Sequence, residues 1–134
     1  MRFKGWTSQS VINLQKPASP GRQKYSNSDP IGRIASALKI LGVDSVREYK
    51  FIADRRFRFD LAIPYCKIAI EFEGGVYTRG RHTRSLGYIN DVKKYNLATM
   101  HGWRLLRYTT ESTTKINWEF EAAQQIIKLI GVIL

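Results

Sequence analysis

From Glu48 to Glu73 the chain reads EYKFIADRRFRFDLAIPYCKIAIEFE, with apolar and polar residues alternating through Val46–Phe51, Phe57–Ile63 and Lys67–Phe72. A period of two sends successive side chains to opposite faces and marks half-buried strands. The connecting Ala-Asp-Arg-Arg and Pro-Tyr-Cys segments are turn-like, so the stretch predicts two successive hairpins. Matching apolar side to apolar side sets their register. In the second hairpin Ile63 faces Ile68, Leu61 faces Ile70 and Phe59 faces Phe72; in the first, Phe51 faces Phe57 and Tyr49 faces Phe59. On the other face one row then reads Glu48, Asp60, Glu71 and a second reads Lys50, Arg58, Glu73. A slip of one residue would turn the apolar set to solvent. A slip of two would set Asp60 beside Glu73 instead.

Opposed residues in an antiparallel ladder have Cβ atoms about 4.5–5.5 Å apart, and like charges placed so are destabilising. The chain has only 11 Asp and Glu against 22 Lys and Arg, so a row of three carboxylates needs a reason. A divalent cation supplies one, because hard ions such as Mg²⁺ take carboxylate oxygens and water. The alternative is a solvated outer face on which Glu48, Glu71 and Glu73 pair with neighbouring Lys and Arg.

A length of 134 residues allows one domain with a real core. The net charge of +11 points to a polyanionic partner, nucleic acid before an acidic membrane surface. The single cysteine, Cys66, cannot form an internal disulfide and reads as a small filler beside a turn. The N-terminus lacks the apolar core of a signal peptide, and the closing KLIGVIL is too short to span a bilayer, so a cytoplasmic protein is expected.

Residues 1–28 hold no acidic residue and show neither period, which predicts a basic flexible arm ahead of a single domain over 29–134. Such an arm either lies along phosphates or packs Trp6 and Val11–Leu14 onto the domain or a second subunit. Asp29-Pro30 opens a helix, with Ile31, Ile34, Ala35, Leu38 and Leu41 at helical spacing and Gly42 as the stop. After the strands, residues 74–84 (GGVYTRGRHTR) predict a flexible cationic loop in which Arg79, Arg81 and Arg84 suit phosphate. A second helix is expected over 87–101, where Asp91 and Lys94 share a face. Trp103–Tyr108 predicts a fourth strand. Asn117 to about Ile130 predicts a last helix with Phe120, Ala123, Ile127 and Ile130 inward.

The order helix, three antiparallel strands, helix, strand resembles the core of the PD-(D/E)XK nuclease superfamily. Asp60 in FRFDLAIP stands in the place of its first acidic motif, and Glu71-Phe-Glu73 stands where (D/E)-x-K is expected, eleven residues on. Glu48 lies in the preceding strand, like the extra acidic residue of junction-resolving and restriction members. The chain is especially similar to small phage and bacterial endonucleases of the very-short-patch-repair-like type, in some of which a His and an Asp follow the strands, as His82 and Asp91 do here. The likeness covers roughly residues 31–110. It departs at Glu73, which replaces the usual lysine; Lys94 and Lys50 are candidates for a migrated cation.

The resemblance implies an α/β (α+β) fold with a restriction-endonuclease-like core in the order αβββαβ, a mixed sheet flanked by helices, and an extra C-terminal helix. It implies a Mg²⁺- or Mn²⁺-dependent DNA endonuclease. Asp60 and Glu71 would hold the metal with help from Glu48, Glu73 or Asp91, and Glu73 or His82 would orient the attacking water. His82 could equally serve as a phosphate or packing contact. Lys94, Arg81 and Arg84 would face the phosphate at the transition state, and Lys50, Arg58 and Arg79 would grip DNA beside them. A structure-selective nicking or junction-resolving activity on DNA, branched DNA included, by a homodimer is expected. Mismatch-nicking, homing or restriction-type cutting, an RNA-directed nuclease and a catalytically inactive nucleic-acid-binding protein are the alternatives.

Overall fold

The first helix, α1 (Pro30–Ile40), starts where Asp29 accepts the Gly32 N–H at 3.0 Å, with proline in the first turn. Both Asp29 oxygens also accept from Arg47 of the first strand, at 2.9 and 2.8 Å, so one residue caps the helix and ties it to the sheet. That guanidinium is the main reason the Asp29 carboxyl sits below its usual range, helped by the Gly32 N–H against the cost of burial. The helix ends at Gly42, which adopts φ 88°. In a computed structural model the structure describes residues 29–74 and 81–133, and of residues 81–85 and 133 the backbone alone. The expected arm over 1–28 and Arg79 lie outside the described residues.

Three strands follow, β1 (Val46–Lys50), β2 (Arg58–Ile63) and β3 (Ile68–Glu73), then α2 (Arg81–Met100), β4 (Arg104–Thr109) and α3 (Trp118–Ile133). The sheet is mixed, in the order β1-β2-β3-β4. The two hairpin pairs are antiparallel, and β3 pairs with β4 in parallel. A parallel neighbour needs a crossover, and α2 supplies it. Among the described residues the fold is therefore α+β, a four-stranded mixed sheet flanked by three helices.

The expected register holds where it can be compared. Tyr49 lies opposite Phe59, Leu61 opposite Ile70, and Ile63 opposite Ile68. The assignment of faces needs correction. Leu61, Ile63, Ile68 and Ile70 pack with α1 and α3, Phe72 beside them, whereas Phe59 packs with Ala62, Ala69, Tyr49, Phe51, Trp103 and Ala98 of α2. Phe59 and Leu61, two apart, thus point to opposite faces, and Phe59 does not face Phe72. The reversal falls at Glu48 and Asp60, the one step missing from the β1–β2 ladder, and Glu48 adopts φ 50°. A left-handed residue in a strand is costly for anything but glycine, and here it turns the outer half of the hairpin over. Lys50 still stands opposite Arg58, but on the face away from Phe59 and not in one row with Glu73.

Period-two alternation marks a sheet with one covered face, and this sheet is covered on both. β3 is buried from Ile68 through Glu71, which is why IAIEF reads as a nearly unbroken apolar run. Three smaller corrections follow. α2 begins at Arg81, so residues 81–84, expected in the cationic loop, are helical. In α3 the buried set is Trp118, Ala122, Ala123, Ile126 and Ile130, while Phe120 and Ile127 are only partly covered. In α1 Ala37 is buried in place of Ala35 and Leu41, which lie at the margin. Cys66 is buried, and its thiol, pushed up chiefly by burial, donates weakly to the Ile63 carbonyl.

Candidate active site

At the end of the β2–β3 ladder the two strands part. The outermost pair of the ladder is Leu61 with Ile70, although β2 continues back to Arg58 and β3 on to Glu73. Beyond that pair the Phe72 N–H finds a side chain instead of a backbone carbonyl, donating to Asp60 Oδ2 at 2.8 Å. Glu71 sits in the opening. It is the one buried charged residue among those described, and Lys94 of α2 reaches down to donate to its Oε1. Both side chains are nearly closed off, at 8 and 13 % exposure.

A buried carboxylate is costly unless paired and hydrogen-bonded. Burial pushes the Glu71 carboxyl from the ordinary 4.5 up to about 7; Lys94 pulls it down and the neighbouring Asp60 pushes it further up. At Glu71 burial thus outweighs the pull of its one lysine, while Asp60 also lies within electrostatic reach of Arg47. The Lys94 ammonium is also held over the rings of Phe59 and Tyr95, each centroid 5.6 Å away. Tyr95 carries a phenol raised above its usual range by burial first, then by Glu71, Asp91 and Asp60.

The sequence-predicted residues divide accordingly. Asp60, Glu71 and Lys94 come together. Glu73 turns instead to Arg107 of β4, whose guanidinium stacks 4.7 Å from the Tyr95 ring centre. Glu48 and Asp91 are exposed. Among the described residues no three His, Cys, Asp or Glu side chains are disposed to hold a metal ion, so the expected row of Glu48, Asp60 and Glu71 gives way to two carboxylates and a lysine. The side chains of Arg81, His82 and Arg84, at the start of α2, lie outside what the structure describes.

Sequence reasoning missed Arg107 and Tyr95. Arg107 stands opposite Glu71 in the parallel β3–β4 register and bonds Glu73, two residues along. Only the pairing of β4 with β3 could have signalled it. Tyr95, adjacent to Lys94, could have been found from helical spacing once α2 was laid on the site.

The donor set fits a hard dication. Mg²⁺ is commonly bound through one or two carboxylates, with waters and phosphate oxygens completing its octahedron; Asp60 and Glu71 are such a pair, and a bound cation would favour the ionised form that burial disfavours at Glu71. No His or Cys is described at the site that would favour a softer metal. Among the described residues no helix is long and apolar enough to cross a membrane. Compared with protein-family models, with curated proteins and with solved structures, the chain finds no match in any of the three.

Proposed function

We propose that the protein is a metal-dependent DNA endonuclease of the PD-(D/E)XK kind, acting on structured DNA by nicking or junction resolution. The observation that carries the reading is the convergence of Asp60, Glu71 and Lys94 where β2 and β3 part. Asp60 and Glu71 would hold Mg²⁺ or Mn²⁺. When bound, such an ion polarises a phosphate oxygen and acidifies a coordinated water. Lys94 stands in for the missing motif lysine: released from Glu71, its ammonium can donate to the attacking water or to a non-bridging phosphate oxygen as charge builds there. Arg107 holds Glu73 beside the site, so Glu73 is positioned to orient water, and His82 shares that candidacy. The water oxygen bonds to phosphorus, the bond to the leaving sugar oxygen breaks, and the water's proton passes to solvent or a neighbouring carboxylate.

Each site cuts one strand, so a homodimer is part of the proposal, to be read by sedimentation. A second reading, a nucleic-acid-binding protein without activity, draws on the closed Glu71–Lys94 pair and the lack of a third acidic ligand. Wild type, Asp60→Ala and Lys94→Ala are incubated with supercoiled plasmid, a four-way junction and RNA, in Mg²⁺, Mn²⁺ or EDTA. Wild type is expected to cut DNA with metal only, and each variant to lose roughly 10²-fold or more. Cutting that survives EDTA and both substitutions sinks the metal site. Wild type that cuts nothing leaves the binder.

A further inference from the structure

The outer end of the β1–β2 hairpin carries four cations that the catalytic proposal does not use. Lys50 and Arg58 stand directly opposite each other in the ladder, and Arg55 and Arg56 lie in the turn between them; all four are exposed. Like charges placed opposite one another destabilise a hairpin, so a neutralising carboxylate is expected nearby. None is present. All 11 acidic residues of the chain fall within the described residues, and the ion pairs between described residues are Arg33–Glu119, Arg47–Asp29, Lys94–Glu71 and Arg107–Glu73, none of which involves these four cations. Asp54 shares the turn without pairing to any of the four.

The other face of the same hairpin is apolar and anchored. Phe51 stacks on Phe59 at 4.2 Å, and Tyr49 and Phe59 both pack against Trp103, at 5.6 and 4.9 Å. The cations are therefore borne on a braced two-stranded ribbon. Arg58 is two residues from Asp60, about 7 Å along β2, with Arg55 and Arg56 beyond it in the turn. Phosphates on one DNA strand are spaced about 3.4 Å along the axis, and the major groove admits a two-stranded ribbon.

We infer that this hairpin is a phosphate-gripping finger that holds duplex DNA beside the cleavage site. The inference deepens the nuclease reading and rests on it for the choice of DNA as partner. An anionic membrane fits less well, since the tip offers no exposed large apolar residue: Ile52 and Phe57 are partly buried and only Ala53, Asp54, Arg55 and Arg56 are fully out.

The test is binding, measured in EDTA by fluorescence anisotropy on a duplex of about 20 base pairs, with affinity followed against salt. Each neutralised phosphate contributes about 0.9 to the log–log slope. Arg55→Ala/Arg56→Ala and Lys50→Ala/Arg58→Ala should each lower the slope by about 2, and all four together by about 3 to 4. Arg55→Lys/Arg56→Lys keeps the charge and should keep the slope. Lys39→Ala/Lys128→Ala, exposed on α1 and α3, removes the same charge elsewhere and should leave the slope within about 0.5 of wild type. All four substituted residues are exposed, and a thermal melt confirms that each variant is folded. Hairpin variants that behave like the α1/α3 control overturn the finger. So does a loss confined to duplex RNA or to anionic phosphatidylserine vesicles. Because no cutting is required, the outcomes separate: a protein that never cuts but shows the slope change loses only the nuclease reading, and one that cuts without the slope change loses only the finger.

Discussion

Replacing Glu71 by glutamine tests the electrostatics of the site without reference to any substrate. The Glu71 carboxyl is raised from 4.5 to about 7, chiefly by burial and then by Asp60, against the pull of Lys94. Between those values the folded chain keeps a proton that the unfolded chain has released. Stability is therefore fully present below about pH 4.5, falls as the pH rises, and levels off above about 7. At about 1.4 kcal/mol per pH unit the gap is worth up to about 3 kcal/mol. Glu71→Gln keeps an acceptor for Lys94 and removes the titration. Urea unfolding of both proteins at pH 4.5, 5.5, 6.5, 7.5 and 8.5 gives the stability difference at each pH, in which titrating groups not coupled to Glu71 cancel. Relative to the variant, wild type should lose about 1–3 kcal/mol across the series, nearly all of it between pH 5 and 7.5. A difference that stays flat, or grows with pH in favour of wild type, would refute a buried carboxylate short of positive charge. The same logic makes metal binding release a proton below pH 7, so Mg²⁺ should protect wild type against unfolding more strongly at pH 8 than at pH 6.

Phe59→Ala removes a fully buried ring from the α2 side and should cost about 3–5 kcal/mol by urea unfolding; a loss under 1 kcal/mol would mean that Phe59 does not pack where the face reversal puts it. Asp29→Ala deletes the cap of α1 and its tie to Arg47, and should cost about 1 kcal/mol at pH 7 with the difference shrinking below pH 4, where the depressed carboxyl protonates. Glu48→Gly should be neutral or stabilising by up to about 1 kcal/mol because φ is 50° there, whereas Lys50→Gly in the same strand should destabilise. Equal losses for the two glycine variants would argue against the reversal.

How much of this was legible beforehand depends on how local each determinant is. The cap at Asp29, the stop at Gly42, the three strands and the hairpin register all depend on neighbours within a few residues or on a tight turn, and each could be read from residue type and spacing. Asp60, Glu71 and Lys94 could be singled out because a carboxylate in an apolar run and a lysine on the following helix are visible as such. What could not be read was which of the acidic residues share a space. Strict alternation puts Glu48 in the row because it is carried through a step where the backbone turns over, and it sets Glu73 in a row with Lys50 and Arg58 because the partner it takes in the fold, Arg107, lies 34 residues on.

By itself, then, the linear chain of residues determined the elements, their order and the hairpin pairing, since those follow from short-range periodicity and turn chemistry. The tertiary structure alone decided that the sheet is covered on both faces, that the outer half of the β1–β2 hairpin is inverted at Glu48 and Asp60, and that α2 delivers Lys94 to Glu71. The physical reason is that a period-two pattern records which residues avoid water, and in a sheet buried on both sides avoiding water no longer says which way a side chain points.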